Sequence, residues 1–209
     1  MSPTLSIIIP HKHEARNDAA LSIALSCIVA NTRSDYELMV DSTTPGDPYV
    51  LFNDMALRAT GEWVLFGNSD LFLAPNWDVE LLKLADRDTM VSVTLVEPGA
   101  IGVHIENIHR DFGMTPETFR RAEFESFASS DPELPAGDGF YFYALRHRQT
   151  FINRGGFDTT LGKFPTPVDI AYHEAWIRDG KRIVRSKALG FHLQNYSNPV
   201  EQEKAVRLA

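Results

Sequence analysis

A single cysteine, Cys27, occurs in 209 residues. The chain can therefore form no internal disulfide and has no cysteine-rich zinc site. No apolar run approaches the roughly 20 residues of a membrane span. The opening "MSPTLSIIIPHKHE" has neither the basic start nor the longer apolar core of a secretory signal. Basic charge is also scarce: 20 Lys and Arg against 28 Asp and Glu give a net charge of −8 and a pI near 5.3. That balance argues against a long nucleic acid as partner, and for a sugar, a protein or a small molecule. Internal repeats and low-complexity linkers are missing too. These absences point to a soluble protein without a membrane span, expected in the cytoplasm. The remaining composition, 44% apolar and 23% charged, is ordinary for a globular domain with a sizeable core.

Strands and helices alternate along the first hundred residues. "LSIIIP" is a short β-branched run stopped by proline, which reads as a buried strand. Leu21, Ala24, Leu25 and Ile28 then recur at helical spacing, in a helix expected to end near Asn31. "YELMVD" is a second strand, with turn chemistry in its exit loop. Phe52, Met55, Ala56 and Ala59 share one face of a second helix, with Gly61 as its expected terminator. "WVLFGN" is a third strand, residues 77–86 a helix and "MVSVTLV" a fourth strand. Beyond Gly99 the spacing predicts a helix begun by Thr115-Pro116-Glu117, a strand "FYFYAL", a "GGFD" turn, a helix over 168–179 and one or two strands in "KRIVRSKALGFHL". The fold class expected is α/β, a mostly parallel central sheet with helices on both faces.

In an open parallel sheet, ligands bind beyond the carboxyl ends of the strands. Three such ends carry polar groups: His11-Lys12-His13-Glu14, Asp41-Ser42 and Asn68-Ser69-Asp70. A carboxylate there can hold a divalent cation, and the cation can neutralise a diphosphate.

The same stretches resemble a known family. "SIIIPHKHE", "MVDSTTPGD", "NDMALRATGEWVLFGNSD", "LFLAPNWDVELL", "FINRGGFD" and "VDIAYHEAWIRDGKRI" followed by "GFHL" occur in the order found in family 2 of the inverting glycosyltransferases, which have the GT-A fold. The resemblance covers about residues 5–193 and implies one GT-A domain over 1–209. Its nucleotide-sugar half would be 1–98, its acceptor-side half 99–198 and its tail 199–209. It implies a nucleotide-sugar donor, expected to be a UDP-sugar, and a divalent metal, Mn2+ or Mg2+. Pro10, His11, Glu14, Asp41, Asn68 and Ser69 are the expected donor contacts, and Asp70 and His192 the expected metal ligands. Asn68 replaces the family's first acidic residue and removes one negative charge; it can still hydrogen-bond there. The family's Glu-Asp pair is replaced by Thr166-Pro167. Asp169 and Asp138 are the substitutes expected to take the acceptor proton.

Each candidate also has a structural reading. Asp70 and Asp41 suit turns, Asp169 suits a helix start, and His192 alone suits a satisfied, partly buried site. His11 and His13 suggest a metal pair, but the sequence shows no third ligand beside them. Trp176 reads as core before sugar platform. The competing functions are a glycosyltransferase, an inactive relative that binds a nucleotide sugar or glycan, and a nucleotidyltransferase. The last expects a glycine-rich loop after the first strand, and "PHKHEARND" has no glycine. The acceptor is not legible.

Overall fold

The computed structural model describes residues 3–42, 46–98, 107–138, 143–162 and 168–193. The first half runs β1 (Leu5–Pro10), α1 (Ala15–Asn31), β2 (Tyr36–Asp41), α2 (Pro48–Arg58), β3 (Trp63–Phe66), β4 (Leu71–Leu73), α3 (Trp77–Leu82) and β5 (Thr89–Glu97). The second half runs β6 (Ile108–His109), α4 (Arg121–Ser129), β7 (Ala144–His147), α5 (Arg148–Asn153), α6 (Val168–Arg178) and β8 (Arg182–His192). The sheet order is β2-β1-β3-β7-β5-β8-β4, with β6 against β5. β1 pairs parallel with β2 and β3, and β5 parallel with β8. β7 is antiparallel to both β3 and β5, so β3 and β5 run the same way. Hence β1, β2, β3, β5 and β8 all point their carboxyl ends to one edge.

The strand pleat explains the layers. Successive side chains of β1 go to opposite faces, so Ile8 joins one core and Ile7 another. On the first face α2, α5 and α6 contribute Phe52, Phe151 and Trp176 against Val64 and Phe66. On the second, α1 and α3 contribute Ile28, Trp77 and Leu81 against Leu65, Val91 and Val93. A third cluster gathers Phe72, Phe112, Phe124 and Phe191, with Phe119 stacked on Phe191. Each large side chain buried this way contributes about 1.5–3 kcal/mol. Trp176 is fully buried, which makes it core.

Several boundaries differ from the sequence reading. α3 stops at Leu82, short of residue 86, and three short elements, β4, β6 and α5, have no counterpart in the sequence reading. Thr115 opens only a 3-10 turn, Pro116–Thr118, closed by a capping box with Thr118; α4 starts afresh at Arg121. The expected strand "FYFYAL" is seen from Ala144 and continues to His147, its start lying outside the described residues. Gly61 is not a left-handed helix cap. A Cβ there would lie 2.5 Å from Ser6 Oγ, so the position serves close approach of the chain to β1.

Candidate functional site

The shared edge gathers polar residues from elements far apart in sequence. β1 ends at Pro10, whose register partner is Asp41 at the end of β2. The His11 N–H donates to the Asp41 carbonyl at 2.8 Å. Asn68, Ser69 and Asp70 follow β3; Glu97 ends β5 and His192 ends β8. β7 runs the other way, so the residue before it, Tyr143, also arrives at this edge.

Asp70 is the centre of the arrangement. β4 begins directly after it and pairs antiparallel with β8, bringing Leu71 opposite His192. The Leu193 N–H donates to the Asp70 carbonyl at 3.0 Å, which locks that register. The carboxylate is buried, and its Oδ1 has no hydrogen-bond partner among the described residues. Its Oδ2 lies 3.8 Å from His192 Nε2. That is too long for a hydrogen bond but within the span of two metal–ligand bonds of about 2.1 Å each. His192 Nδ1 meets Glu97 Oε1 at 2.8 Å, and the Asn107 amide donates to Glu97 Oε2 at 2.7 Å. A carboxylate behind the imidazole fixes its tautomer and turns Nε2 towards Asp70, the arrangement that supports a metal-ligating histidine.

The electrostatics follow from that geometry. Burial pushes the Asp70 carboxyl up, with His192 pulling the other way. Burial disfavours the His192 charge, but Asp70 and Glu97 outweigh it and hold the imidazole above its ordinary range. Tyr143 is driven well above the usual phenol range by burial and by the Asp70 charge. A buried carboxylate with an unpartnered oxygen, an imidazole nitrogen facing it and mixed O and N donors fit a divalent cation of the Mn2+ type.

The other expected residues fall into three groups. Asp41, Pro10, Asn68 and Ser69 line the same edge. The Asp41 carboxylate is mostly buried, with an Arg58 nitrogen 3.6 Å away. The Asn68 amide donates to Tyr143 Oη at 2.9 Å, so it is held inward by a neighbour at the position where the family has an acid. Glu14 is engaged locally: Lys12 at 2.5 Å and Arg16 at 3.4 Å meet its carboxylate, and together they hold it below the usual range. Asp138 is exposed in its loop. Asp169 sits in the first turn of α6, accepts from the Ile170 N–H at 3.0 Å, and its charge acts on buried Arg146. Thr166 and Pro167 lie outside the described residues. His11 does have further partners: the ring turns towards Asp18, and His13 does the same.

Sequence reasoning missed Glu97, Asn107, Tyr143 and Asp18. The signal for Glu97 was present, since it is the first residue after "MVSVTLV" and the strand-end argument applies to it unchanged. Tyr143 carries a φ of 56°, a left-handed backbone rare for an aromatic residue. It is held there by the Val93 N–H on its carbonyl at 3.0 Å and by Asn68.

No family model matches the chain, and no curated protein matches it in sequence. Among solved structures it is similar to GalNAc-T7, a structure with UDP, GalNAc and Mn2+, at TM-score 0.59 and 11% identity, over 91% of this chain and 43% of that one. It is also similar to TarS of S. aureus, at TM-score 0.56 and 11% identity, over 100% of this chain and 39% of that one. Both are GT-A glycosyltransferases, and this chain has their mixed α/β fold with a mostly parallel sheet. It spans about two fifths of the length of each. Among the described residues no helix is long and apolar enough to cross a membrane.

Proposed function

We propose that this chain is a metal-assisted glycosyltransferase that uses a nucleotide-sugar donor, a UDP-sugar in our reading. The observation that carries it is the buried Asp70 carboxylate, with one unpartnered oxygen, facing a His192 ring oriented by Glu97. Asp41 and the turn after Pro10 would hold the nucleoside, at the end of the neighbouring strands. Asp70 and His192 would hold Mn2+ or Mg2+, whose chemistry is to neutralise charge on the departing diphosphate. The GalNAc-T7 structure, with UDP and Mn2+, supports the choice of donor and metal. Family 2, an inverting outcome and the hexosyl transfer class belong to this reading and rest on the motif order; a cytoplasmic setting belongs to it too.

Asp138 and Asp169 are the candidates to take the acceptor proton. The charge of Asp169 already supports Arg146, and Asp138 is the freer of the two to face an acceptor. Loss of a general base costs about 10²–10⁴-fold in rate. Comparing Asp138→Asn with Asp169→Asn therefore assigns the role once an acceptor is known. A second reading, a relative that binds the donor without transferring it, is favoured by Asn68, whose amide is committed to Tyr143.

The test is calorimetric titration of the full chain with UDP and UDP-sugars, with Mn2+, with Mg2+ and with a chelator. Metal-dependent UDP binding that disappears in Asp70→Asn is the expected result. A folded protein that binds no uridine nucleotide under any of these conditions would overturn both readings. Binding without turnover across a broad acceptor panel would select the second.

A further inference from the structure

We propose that His11, His13 and Asp18 form a second metal site, built for a borderline transition-metal dication such as Zn2+ and separate from the Asp70 and His192 pair. The backbone assembles it simply. Pro10 ends β1, and residues 11–14 cross to the start of α1 at Ala15. Asp18 lies in the first turn of α1, where the rings of both His11 and His13 reach it. His11 Nε2 is 2.7 Å and His13 Nδ1 3.1 Å from the same oxygen, Asp18 Oδ1. One donor atom from each residue lies within 4.8 Å of the other two. The two rings stand edge to face, 5.3 Å apart at 86°, so they converge without stacking.

Burial is graded across the cluster. The His11 side chain is 0% exposed, and its Nδ1 has no partner among the described residues. Its polar engagement is therefore through Nε2, aimed into the cluster. His13 and Asp18 are 66% and 49% exposed, which leaves an entry path and an open coordination position on the solvent side. The cations adjoining it in sequence, Lys12 and Arg16, both pair with Glu14. Two imidazoles, one carboxylate and an open position suit Zn2+ or Co2+, whereas Mg2+ prefers an all-oxygen shell. Occupancy would pin the segment whose first N–H holds the end of β2 through the Asp41 carbonyl.

The test uses the full chain without an affinity tag, stripped with a chelator and titrated with Co2+, reading its visible d–d absorption and then displacement by Zn2+. The expected result is one equivalent of tightly bound Co2+ that survives in Asp70→Asn. In His13→Ala and Asp18→Asn it should weaken by at least about 100-fold, beyond the roughly 10–100-fold lost with an outer-shell partner. Both varied side chains are exposed, and metal-free melting curves matching the parent chain show that the fold is intact. Three outcomes would overturn the site: no Co2+ bound by the parent chain, binding unaffected by either variant, or binding lost only in Asp70→Asn. In the first case Asp18 merely bridges two imidazoles by hydrogen bonds. UDP binding is read separately, so the donor reading and this site can fail independently.

Discussion

Replacing the two adjacent glycines after α5, one at a time, separates backbone strain from a steric contact. Gly155 and Gly156 have φ of 86° and 68°. The Gly156 N–H reaches the Phe151 carbonyl at 3.1 Å and the Gly155 N–H the Ile152 carbonyl at 2.9 Å, a glycine helix stop of the Schellman type. Alanine at either position incurs about 1–2 kcal/mol of left-handed strain. At Gly155 no described residue adds to it, since none lies within 4 Å of the added Cβ. At Gly156 the Cβ would lie 2.4 Å from Asn53 Oδ1. That amide cannot swing away cheaply: it accepts from the Phe157 N–H at 2.8 Å and donates to the Phe157 carbonyl at 2.8 Å. Losing both bonds adds about 2 kcal/mol, at about 1 kcal/mol each. Gly156→Ala should therefore cost about 3–4 kcal/mol against about 1–2 for Gly155→Ala, read by equilibrium unfolding in urea. The melting temperatures should differ by roughly 4–8 °C. In an Asn53→Ala background the excess should vanish, a coupling of about 2 kcal/mol. Equal costs for the two glycines, or a Gly156→Ala cost unchanged without Asn53, would refute the contact and leave only the backbone conformation.

Glu37 accepts from Ser6 Oγ at 2.6 Å and from the Thr60 and Gly61 N–H groups at 2.5 and 3.1 Å. Partial burial raises its pKa, but these donors outweigh that and hold it below the ordinary range. With the folded value depressed, its stabilisation is complete above the ordinary glutamate pKa of about 4.3 and is lost as pH falls through the folded value. Glu37→Gln should cost about 1–3 kcal/mol near neutrality, and in acid unfolding titrations the gap to the parent should narrow only below that ordinary value; a gap independent of pH contradicts the assignment. Phe191→Ala removes the ring stacked on Phe119 at 5.1 Å and tilted against Phe124 at 5.8 Å. It should destabilise by about 3–5 kcal/mol in denaturant unfolding, and a loss under about 1 kcal/mol would mean that the cluster collapses around the gap. Glu97→Ala should weaken Mn2+ binding about 10–100-fold by freeing His192 to rotate, read by calorimetry; unchanged affinity would deny Glu97 its positioning role.

The parts of the fold legible in the sequence were those with a strong local pattern. "LSIIIP", "YELMVD" and "WVLF" declare buried or half-buried strands by composition, and their polar ends follow by the geometry of a parallel sheet. β4 and α5 have three and six residues, too short for a period to show. The turn Pro116–Thr118 carries every helix-start signal and still stops, because Phe119 turns extended and its N–H closes on Pro116. Asp18 was hidden for a different reason. Its place beside His11 and His13 depends on α1 beginning at Ala15, and a boundary shift of one residue would rotate it by about 100°. In the sequence Asn53 stands only as part of a motif, yet its amide recognises the Phe157 backbone through contacts that no local pattern encodes.

The candidate site shows the same division, and its charge balance is what a cation would complete. Glu97 is already shared between His192 and Asn107, so its oxygens are committed. Asp70 has only a 3.8 Å approach to His192 and one oxygen without a partner among the described residues. Burying a carboxylate in that state is costly unless a charge or donor completes it. Protonation relieves the cost, which is the direction in which burial moves Asp70. A divalent cation relieves it while keeping the carboxylate ionised, and it uses the imidazole nitrogen that Glu97 has turned towards the gap. The sequence could show that Asp70 stands at a strand end. Only the antiparallel pairing of β4 with β8 shows that its remaining valence faces a histidine.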